Sequence, residues 1–458
     1  MNRSKQLGEE RIGKLLMKFS LPAIAGMLVN ALYNVVDRAV VGNVVGKDAI
    51  AGLTITMPIA IIIMAFGMLI GIGAAARVSI RLGQNKKDEA EKILGNAFIL
   101  LIAVSLLVTV FGQIFKEDIL RAFGASDNTI GYAIDYITII LYGAVLQNIG
   151  FGLNNIIRAE GNPKIAMFTM LIGGVLNIIL DILFVLVFKF GIKGAAYATI
   201  ISQAVNTIWV LYYFVGENCV LKLKIHNFKL KKSVILSIVS IGFAPFSMQV
   251  AASMVQVLYN TKLASFGGDT AIAVFGAINS IVMLILMPVF GINQGSQPII
   301  GYNYGAKNYK RVKKTLKLAA IAATFITTSG FLMAELVPSL LIKLFNRNSL
   351  DMLNMGTRAA RIYLCMFPII GFQIVCSNYF QAIGKATIAM ILSLARQVIV
   401  LIPLLLILPQ ILKLDGIWIS GPISDFISSL ITLVLIYREL KKLNKKIGDV
   451  EHLEVANR

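Results

Sequence analysis

The feature that most constrains this chain is a succession of long apolar runs that contain almost no charge. A helix needs about 20 apolar residues to cross the roughly 30 Å hydrocarbon layer of a membrane. Runs of that length recur along nearly the whole 458-residue sequence. We place twelve of them, near residues 19–42, 50–74, 93–115, 134–157, 165–188, 195–215, 234–260, 271–295, 315–342, 360–382, 386–409 and 417–437. The runs predict a protein that crosses a membrane many times.

The overall composition agrees with this interpretation. Apolar residues make up 57% of the chain and charged residues only 14%, which is not the balance of a soluble globular protein. The sequence lacks the segments of about 10 residues with alternating polarity that build membrane β-barrels. Because every backbone polar group at membrane depth needs an internal hydrogen bond, the remaining element is the α-helix. We therefore predict an all-α membrane protein with twelve transmembrane helices.

The distribution of basic residues predicts the orientation in the membrane. A net charge of +20 would suit a nucleic-acid partner if the charges were gathered on one soluble surface. With a cytoplasmic amino terminus, 29 of the Lys and Arg residues outside the runs lie on the cytoplasmic side and 11 on the opposite side. This excess is the positive-inside asymmetry of membrane proteins. It predicts the inner (cytoplasmic) membrane, with both termini in the cytoplasm, and argues against nucleic acid as a partner.

The sequence also repeats itself with a period of about 222 residues. Five landmarks recur in order, residues 20–22 at 243–245, 49–51 at 271–273, 81–86 at 303–308, 158–161 at 381–384 and 193–196 at 415–418. Six helices per copy give both copies the same orientation, so the repeats are parallel and related by an axis along the membrane normal. We predict an amino-terminal lobe over 1–216, a cytoplasmic linker over 217–233, a carboxy-terminal lobe over 234–440 and a cytoplasmic tail over 441–458.

Acidic residues within the predicted helices are few, and those that stand out are Asp37, Asp181, Asp425 and, near an outer end, Glu335. A charge at the bilayer centre costs about 2.5–3.5 kcal/mol on insertion scales, so such groups usually face a cavity and mark ion pathways. Asp37 and Asp181 both fall in the outer part of their helices, the first and the fifth. These helices can bring the two carboxylates together at one depth. For Asp425 we expect a structural ion pair with Arg396 in the second lobe.

Two carboxylates in a pocket of low dielectric cannot both stay ionised without a counter-charge. That charge is either a proton shared by the pair or a sodium ion held by oxygen atoms, and the sequence leaves both open. Asn177 lies four residues before Asp181 and shares its helical face. Structural interpretations also exist, since Asp181 can be a buried hydrogen-bonded residue and Asn177 can join two membrane helices. Arg38 projects about 100° away from Asp37 and does not face it.

Together these residues resemble the multidrug and toxic compound extrusion (MATE) transporters, and within them the DinF-like branch that includes MepA-like proteins. The resemblance covers nearly the whole chain. It is carried by the repeat and by Pro22 in helix 1, Val36-Asp37-Arg38 and Val41-Gly42 near its outer end, Arg158-Ala159-Glu160-Gly161 after helix 4, Asn177-Ile178-Ile179-Leu180-Asp181 in helix 5 and Gly194-Ala195-Ala196-Tyr197-Ala198-Thr199 in helix 6. It implies the MATE fold, with twelve helices in two parallel-repeat six-helix lobes.

The resemblance also implies a set of site residues. By that resemblance the cation-coupling site is formed by Asp37, Asn177, Asp181 and Thr199, and is lined by Tyr136 and Asn154. Pro22 matches the proline at which helix 1 is proposed to bend on protonation, although a proline also suits the start of a helix. The resemblance implies no catalytic residue, no metal site and no cofactor, with H⁺ or Na⁺ as the coupling ion.

Two further features concern the rest of the chain. NorM-like members of the family carry acidic residues on helices 7 and 10, where this sequence has Gln249, Gln256, Gln373 and Asn378. The departure favours coupling through the first lobe alone. At the cytoplasmic end of helix 4, we expect Arg158 and Glu160 to order a loop.

Polar uncharged side chains and methionines on apolar helices are typical of a loose pocket that adapts to different ligands. We assign the substrate cavity to seven such residues, Met27, Asn30, Gln147, Gln249, Gln256, Asn279 and Met283. Methionine is equally common as a filler between packed helices. The cavity would accept flat cationic compounds.

The sequence therefore predicts a monomeric secondary active transporter, not an enzyme. It would exchange H⁺ or Na⁺ for small cationic organic compounds by alternating access, with small-molecule substrates and membrane lipid as its partners. An alternative within the same superfamily is a flippase for lipid-linked oligosaccharides, which usually has more than twelve helices and a basic cavity. An intramembrane prenyl transferase would need Asp-rich metal motifs at cytoplasmic helix ends, and the sequence has none.

Overall fold

The computed structural model describes residues 4–45, 47–217, 219–343 and 350–456 of the chain. Arg347, which entered the charge count, and Arg458 at the end of the predicted tail lie outside the described residues. The first half of the chain forms helices α1 (Gln6–Glu9), α2 (Ile12–Val44), α3 (Lys47–Gly83), α4 (Lys87–Ala122), α5 (Ile130–Ala159), α6 (Pro163–Asp181) and α7 (Gly191–Val215). The second half forms α8 (Lys232–Gly305), α9 (Tyr309–Leu336), α10 (Pro338–Lys343), α11 (Leu350–Leu364), α12 (Phe367–Ala382), α13 (Ala386–Leu394) and α14 (Ile402–Ala456).

The helices account for twelve membrane crossings. Within the described ranges, ten helical segments are long and apolar enough to cross a membrane, and the pair α11 and α12, bent by 46°, forms an eleventh. The last of the ten, Ala386–Asp449, has 64 residues and would be about 96 Å long if straight. It is interrupted at Lys413, whose backbone is not helical (φ 51°, ψ −129°), so it provides two crossings. The predicted all-α fold with twelve transmembrane helices is confirmed.

The apolar runs predicted the positions of the helices more accurately than the residues at which the helices begin and end. Helix α2 begins at Ile12 rather than near residue 19, and its buried residues Ile12, Leu15 and Leu16 extend the helix ahead of the apolar run. Pro22 consequently lies inside α2, so the alternative that it merely opens a helix is wrong. The run predicted as one helix near 360–382 is divided by the bend between α11 and α12.

Two of the repeated landmarks are helix C-termini of the same design. Gly161 (φ 106°) and Gly384 (φ 77°) follow α5 and α12 in the left-handed conformation that glycine adopts without strain. In each turn, the N–H of the next residue donates to the carbonyl five residues back, at 3.1 and 2.9 Å. After the first of these turns, Asn162 accepts a hydrogen bond from Ile165 N (3.4 Å) and caps α6, which starts at Pro163.

The described chain divides into two compact units, with the boundaries at Pro22 and at Gln249. The first unit comprises Pro22–Gln249 together with the chain up to Glu9, and in it α5 packs against α3, α4 and α7. The second comprises Glu10–Leu21 and the chain from Val250 onward, and in it α12 packs against α9 and α14. Large apolar side chains stand exposed along the outer faces of the helices, as a lipid environment requires.

Glycines allow two helices of the first unit to pack backbone to backbone. A Cβ atom placed on Gly242 of α8 would lie 1.6 Å from the carbonyl oxygen of Leu69 in α3. A Cβ on Gly73 of α3 would lie 2.2 Å from the carbonyl oxygen of Ile238. Small residues permit this close approach between membrane helices. Any larger side chain at either position must push the two helices apart.

The linker after α7 is fixed to the first unit rather than loosely connected. Glu160, at the end of α5, is fully buried and accepts hydrogen bonds from the Tyr213 hydroxyl and from Leu221 N (3.0 Å). The expectation that Glu160 orders a loop is confirmed, and the loop is the linker itself. Glu91 of α4 accepts a hydrogen bond from Lys222 N (3.3 Å) and pairs with the Lys224 ammonium at 2.5 Å.

The same linker is held further along by an amide and an aromatic contact. The side-chain amide of Asn96 in α4 donates to the carbonyls of Asn227 (3.1 Å) and Lys229 (3.2 Å) and accepts from Lys231 N (2.8 Å). The rings of Phe98 and Phe228 lie 5.5 Å apart. The hydrogen bond to Glu91 raises the pKa of Lys224 above its ordinary value.

Candidate cation site in the first unit

Two buried aspartates lie on different helices of the first unit. Asp37 lies in α2 and is 9% exposed, and Asp181 is the last residue of α6 and is 0% exposed. Immediately after Asp181 the backbone changes from an α-helix to a π-helix over Ile182–Val187. Such turns widen a helix locally and are frequent at functional sites. Asp181 is therefore placed where the backbone departs from regular geometry.

Neither carboxylate oxygen of Asp181 has a hydrogen-bond partner in the part of the chain that the structure describes. A buried ionised carboxylate without a partner is energetically unfavourable, because the interior cannot replace its hydration. Asp37 lies close enough to interact electrostatically with Asp181, and two ionised carboxylates repel each other. The pair is consequently a place where a proton or a metal cation would be stabilising.

Asn177, one helical turn before Asp181, supplies an amide oxygen, and Thr199 of α7 supplies a hydroxyl oxygen. Asn177 is buried, and its Nδ2 donates to Oγ1 of Thr199 at 3.4 Å. The Thr199 hydroxyl in turn donates to the Ala195 carbonyl of α7 at 3.0 Å. The amide oxygen of Asn177 is buried and has no hydrogen-bond partner within the described ranges. Carboxylate, amide and hydroxyl oxygens are the atoms that hard cations prefer.

Tyr136 of α5 connects the parts of this site. Its phenol is within hydrogen-bonding reach of the Thr199 side chain and interacts electrostatically with Asp37, Asp181 and Tyr33. Tyr33 was not predicted from the sequence. The signal for it was present, because it lies four residues before Asp37 and therefore on the same face of α2.

Apolar side chains surround these polar groups. Tyr136 packs against a cluster of buried residues from three helices and the π-helical segment, Val41, Ala49, Leu53, Val185, Ile192 and Ala195. A second cluster, centred on Ile137 and Leu141 of α5, also contacts Tyr136. A wall of this kind excludes water and keeps the local dielectric low, which strengthens every electrostatic interaction inside it.

Asn154 lies elsewhere in the first unit. Its Nδ2 donates to the carbonyl of Ala166, in the first turn of α6, at 3.2 Å. Asp181 is at the other end of that helix, and 15 residues at 1.5 Å each place it roughly 22 Å away along the axis. The structure therefore brings Asp37, Asp181 and Tyr136 together and leaves Asn154 near the opposite end of α6.

The structure gives the positions of Pro22 and of the seven predicted cavity residues, but it does not by itself group them into a site. Pro22 lies in α2, 15 residues before Asp37 and so roughly 22 Å from it along the helix. None of the seven substrate-cavity residues is fully buried, and the most exposed are Asn30, Gln256 and Met283. Their role in a cavity stays a prediction.

The buried aspartate of the second unit, Asp425, forms an ion pair with an arginine. Nε of Arg396 lies 2.6 Å from Oδ1 of Asp425, and the Ser424 hydroxyl donates to the Arg396 carbonyl at 2.7 Å. The expected ion pair between Arg396 and Asp425 is confirmed. Because the guanidinium already neutralises this carboxylate, Asp425 has no need of an external cation, in contrast to Asp181.

Known proteins are similar to this chain over most of its length. The family model MatE matches it twice, over residues 22–183 and 245–407, which agrees with the internal repeat. "Multidrug export protein MepA" of Staphylococcus haemolyticus is 26% identical over 429 residues, covering 94% of each chain. The same protein of Staphylococcus aureus strain MSSA476 is 26% identical over 424 residues, covering 93% of each.

Two solved structures are similar over nearly the full length. The "MATE multidrug transporter DinF-BH", solved in complex with the dye rhodamine 6G, is 41% identical, with a TM-score of 0.88, and the match covers 96% of this chain and 98% of that one. An outward-facing "multidrug resistance MATE family transporter of the MOP superfamily" is 25% identical, with a TM-score of 0.90 and the same coverage. The predicted fold of two parallel-repeat lobes agrees with both.

Proposed function

Since this chain belongs to the MATE family of transporters, we propose that it exports small organic molecules in exchange for a cation bound between Asp37 and Asp181. Membership of this family makes it a membrane transporter rather than an enzyme. The observation that carries the proposal is the state of Asp181, whose two carboxylate oxygens are buried and lack a hydrogen-bond partner among the described residues.

The coupling ion is a proton or Na⁺, and the site has features suited to each. A proton shared by two neighbouring carboxylates would remove their repulsion without any further ligand. Sodium would use the carboxylates together with the amide oxygen of Asn177 and the hydroxyl of Thr199. Tyr136 completes this set, and Asn154, near the other end of α6, is not part of it.

The exchange works because the bound cation and the bound substrate exclude each other. A cation that enters from outside compensates one of the two negative charges of Asp37 and Asp181 and removes their repulsion, and α2 then bends at Pro22, where a backbone hydrogen bond is missing. The bend makes the cavity unfavourable for the substrate, which leaves on the outer side. Each elementary charge that crosses 100 mV supplies about 2.3 kcal/mol, which is enough to concentrate a substrate against a gradient.

The proposed substrates are flat cationic organic compounds. Support comes from the relatives, one named as a multidrug exporter and one solved in complex with rhodamine 6G. Met27, Asn30, Gln147, Gln249, Gln256, Asn279 and Met283 would line the cavity. Methionine and amide side chains adapt to ligands of different shape, because they combine flexibility with polarizable or hydrogen-bonding groups.

The proposed orientation follows from the charge distribution. Both termini lie in the cytoplasm, and the protein works as a monomer in the inner membrane. The lobes are residues 1–216 and 234–440, joined by the linker 217–233 and followed by the tail 441–458. The buried pair of Arg396 and Asp425 supports the proposal that only the first lobe couples to an ion.

The test is transport of rhodamine 6G in proteoliposomes with a proton gradient or a sodium gradient imposed separately. We expect one gradient to drive uptake by inside-out protein, and Asp37→Asn or Asp181→Asn to abolish that uptake while the protein stays folded. The matched control is Asp135→Asn, which removes a carboxylate that is half-exposed, pairs with Lys193 at 3.2 Å and lies next to Tyr136 in the sequence. Full gradient-driven transport by Asp181→Asn would contradict the site.

A further inference from the structure

One face at the start of α9 is uniformly basic. Lys310, Lys313, Lys314 and Lys317 are all exposed. Their spacing of three, four and seven residues places them on one side of the helix. Because these residues belong to the first turns of α9, their charges are concentrated at one end of the second unit.

The end of α14 repeats the same pattern. Arg438, Lys441, Lys442 and Lys445 are exposed and have the identical spacing. On the opposite side of this helix, Leu443 is buried. The last turns of α14 therefore show one basic face and one packed face.

Direct contacts hold these two helix ends together. Nζ of Lys313 donates to Oδ1 of Asn444 at 3.0 Å. The ammonium of Lys446 lies 5.2 and 5.3 Å from the ring centres of Tyr304 and Tyr309, which fixes α14 against the turn before α9. The eight basic side chains of the two faces thus form one continuous area, which we call the basic surface.

Acidic residues are scarce in the stretches of sequence that carry this charge. The sequence has no Asp or Glu between residues 302 and 334, which include the basic face of α9. Glu439 is the one acidic residue between 426 and 448, and it is buried and pairs with Lys385. The basic surface therefore carries a concentrated positive charge.

Each basic face continues an exposed apolar face of the same helix. On α9, Ile321 (55% exposed) and Phe325 (73%) follow Lys317 at the spacing of one helical face. On α14, Leu433 and Val434 precede Tyr437 and the basic residues, and all three are at least half exposed. An apolar face, an aromatic residue and then a row of cations is the order in which acyl chains, interface and phosphates occur in a bilayer.

We propose that the basic surface binds the headgroups of anionic phospholipids in the cytoplasmic leaflet. The phosphates contact the lysines and Arg438, and the acyl chains lie along the exposed apolar faces of α9 and α14. Clusters of four to eight basic residues directly next to a membrane helix are attracted to anionic lipid in this way. A soluble anion would interact with the basic side chains, but it has no acyl chains to contact the apolar faces of α9 and α14.

Binding is measured by native mass spectrometry of the detergent-purified full chain. It is titrated with dioleoylphosphatidylglycerol and with dioleoylphosphatidylcholine, which share the same acyl chains and differ in headgroup charge. One cation near an anionic surface contributes roughly five-fold in affinity. We expect the wild type to prefer the anionic lipid, and replacement of the four basic residues of α14 by Gln to weaken that binding at least ten-fold.

The matched control removes four other basic residues from the same side of the membrane, with Lys222→Gln, Lys229→Gln, Lys231→Gln and Lys232→Gln in the linker. Binding that changes less than two-fold in this control supports the proposal. An equal loss in both variants would show a general effect of net charge and would overturn it. Equal binding of the two lipids, or displacement of the anionic lipid by inorganic phosphate alone, would also overturn it.

Discussion

Removal of Glu160 should release the linker from the first unit. This carboxylate is fully buried and accepts a hydrogen bond from the backbone of Leu221 at 3.0 Å, as well as one from the Tyr213 hydroxyl. The Tyr213 bond stays within the helical bundle when the linker opens. The Leu221 bond is the one that must break.

The expected size follows from the strength of that bond. A hydrogen bond to a charged group contributes about 1.5–3 kcal/mol and a neutral one about 0.5–1.5 kcal/mol. Glu160→Gln keeps an acceptor oxygen, so opening becomes easier by about 1 kcal/mol, or roughly five-fold in the open population. Glu160→Ala removes the acceptor entirely, which makes opening roughly ten- to a hundred-fold more frequent.

Limited trypsin digestion measures this opening, because Lys222 and Lys224 become cleavable only when the linker leaves the surface. The rate follows the population of the open form when closing is faster than cleavage. We expect the order wild type, Glu160→Gln, Glu160→Ala, from slowest to fastest. Glu217→Ala removes an exposed carboxylate from the same segment and should cleave like the wild type. Wild-type cleavage of a folded Glu160→Ala protein would refute the reasoning.

Three further predictions concern packing, charge and hinge motion. Gly242→Ala should lower the midpoint of thermal unfolding in detergent, because overpacking costs about 1–3 kcal/mol. The control is Gly276→Ala in the same helix, where a Cβ atom would have no other atom within 4 Å, and it should leave the midpoint equal or higher. An equal fall of the midpoint in the two variants would contradict the packing argument. Arg396→Met should lower the free energy of unfolding by about 3–5 kcal/mol, since it leaves Asp425 buried and unpaired. Adding Asp425→Asn should recover most of that loss in the same denaturation assay, and no recovery would argue against the ion pair. Pro22→Ala should slow gradient-driven transport of rhodamine 6G without lowering equilibrium binding of the dye, because the alanine restores a helix hydrogen bond; unchanged transport would remove the hinge from the mechanism.

The residues of the candidate site were predictable where their signal is local. Asp37 and Asp181 are conspicuous because acidic residues are rare in apolar helices, and Asn177 follows from its spacing of four on one helical face. Thr199 and Tyr136 came from the family resemblance. In the structure Thr199 accepts a hydrogen bond from Asn177, and Tyr136 interacts electrostatically with Asp181. Each of these signals is a property of one helix or of one sequence motif.

Other parts of the site could not be predicted, because they depend on how helices pack. The π-helical segment after Asp181 has an ordinary apolar sequence that does not distinguish it from a regular helix, and in the structure it packs against α6 and α7. Asn154 shares a helix with Tyr136, and the sequence alone does not say that its amide reaches the first turn of α6 instead. The interaction of Asp425 with Arg396 was expected, whereas the fixation of the linker by Glu91 and Asn96 was not.

The sequence by itself determined the membrane environment, the number of crossings, the repeat and the short list of buried polar residues. These properties depend on composition and on periodicity along the chain, and transfer of polar groups into hydrocarbon is costly enough to leave few alternatives. The tertiary structure decided which of those polar groups meet, since that depends on the rotation and depth of each helix. Asp181 and Asp425 are both buried aspartates, yet only the packing of neighbouring helices gives one an arginine and the other a second carboxylate.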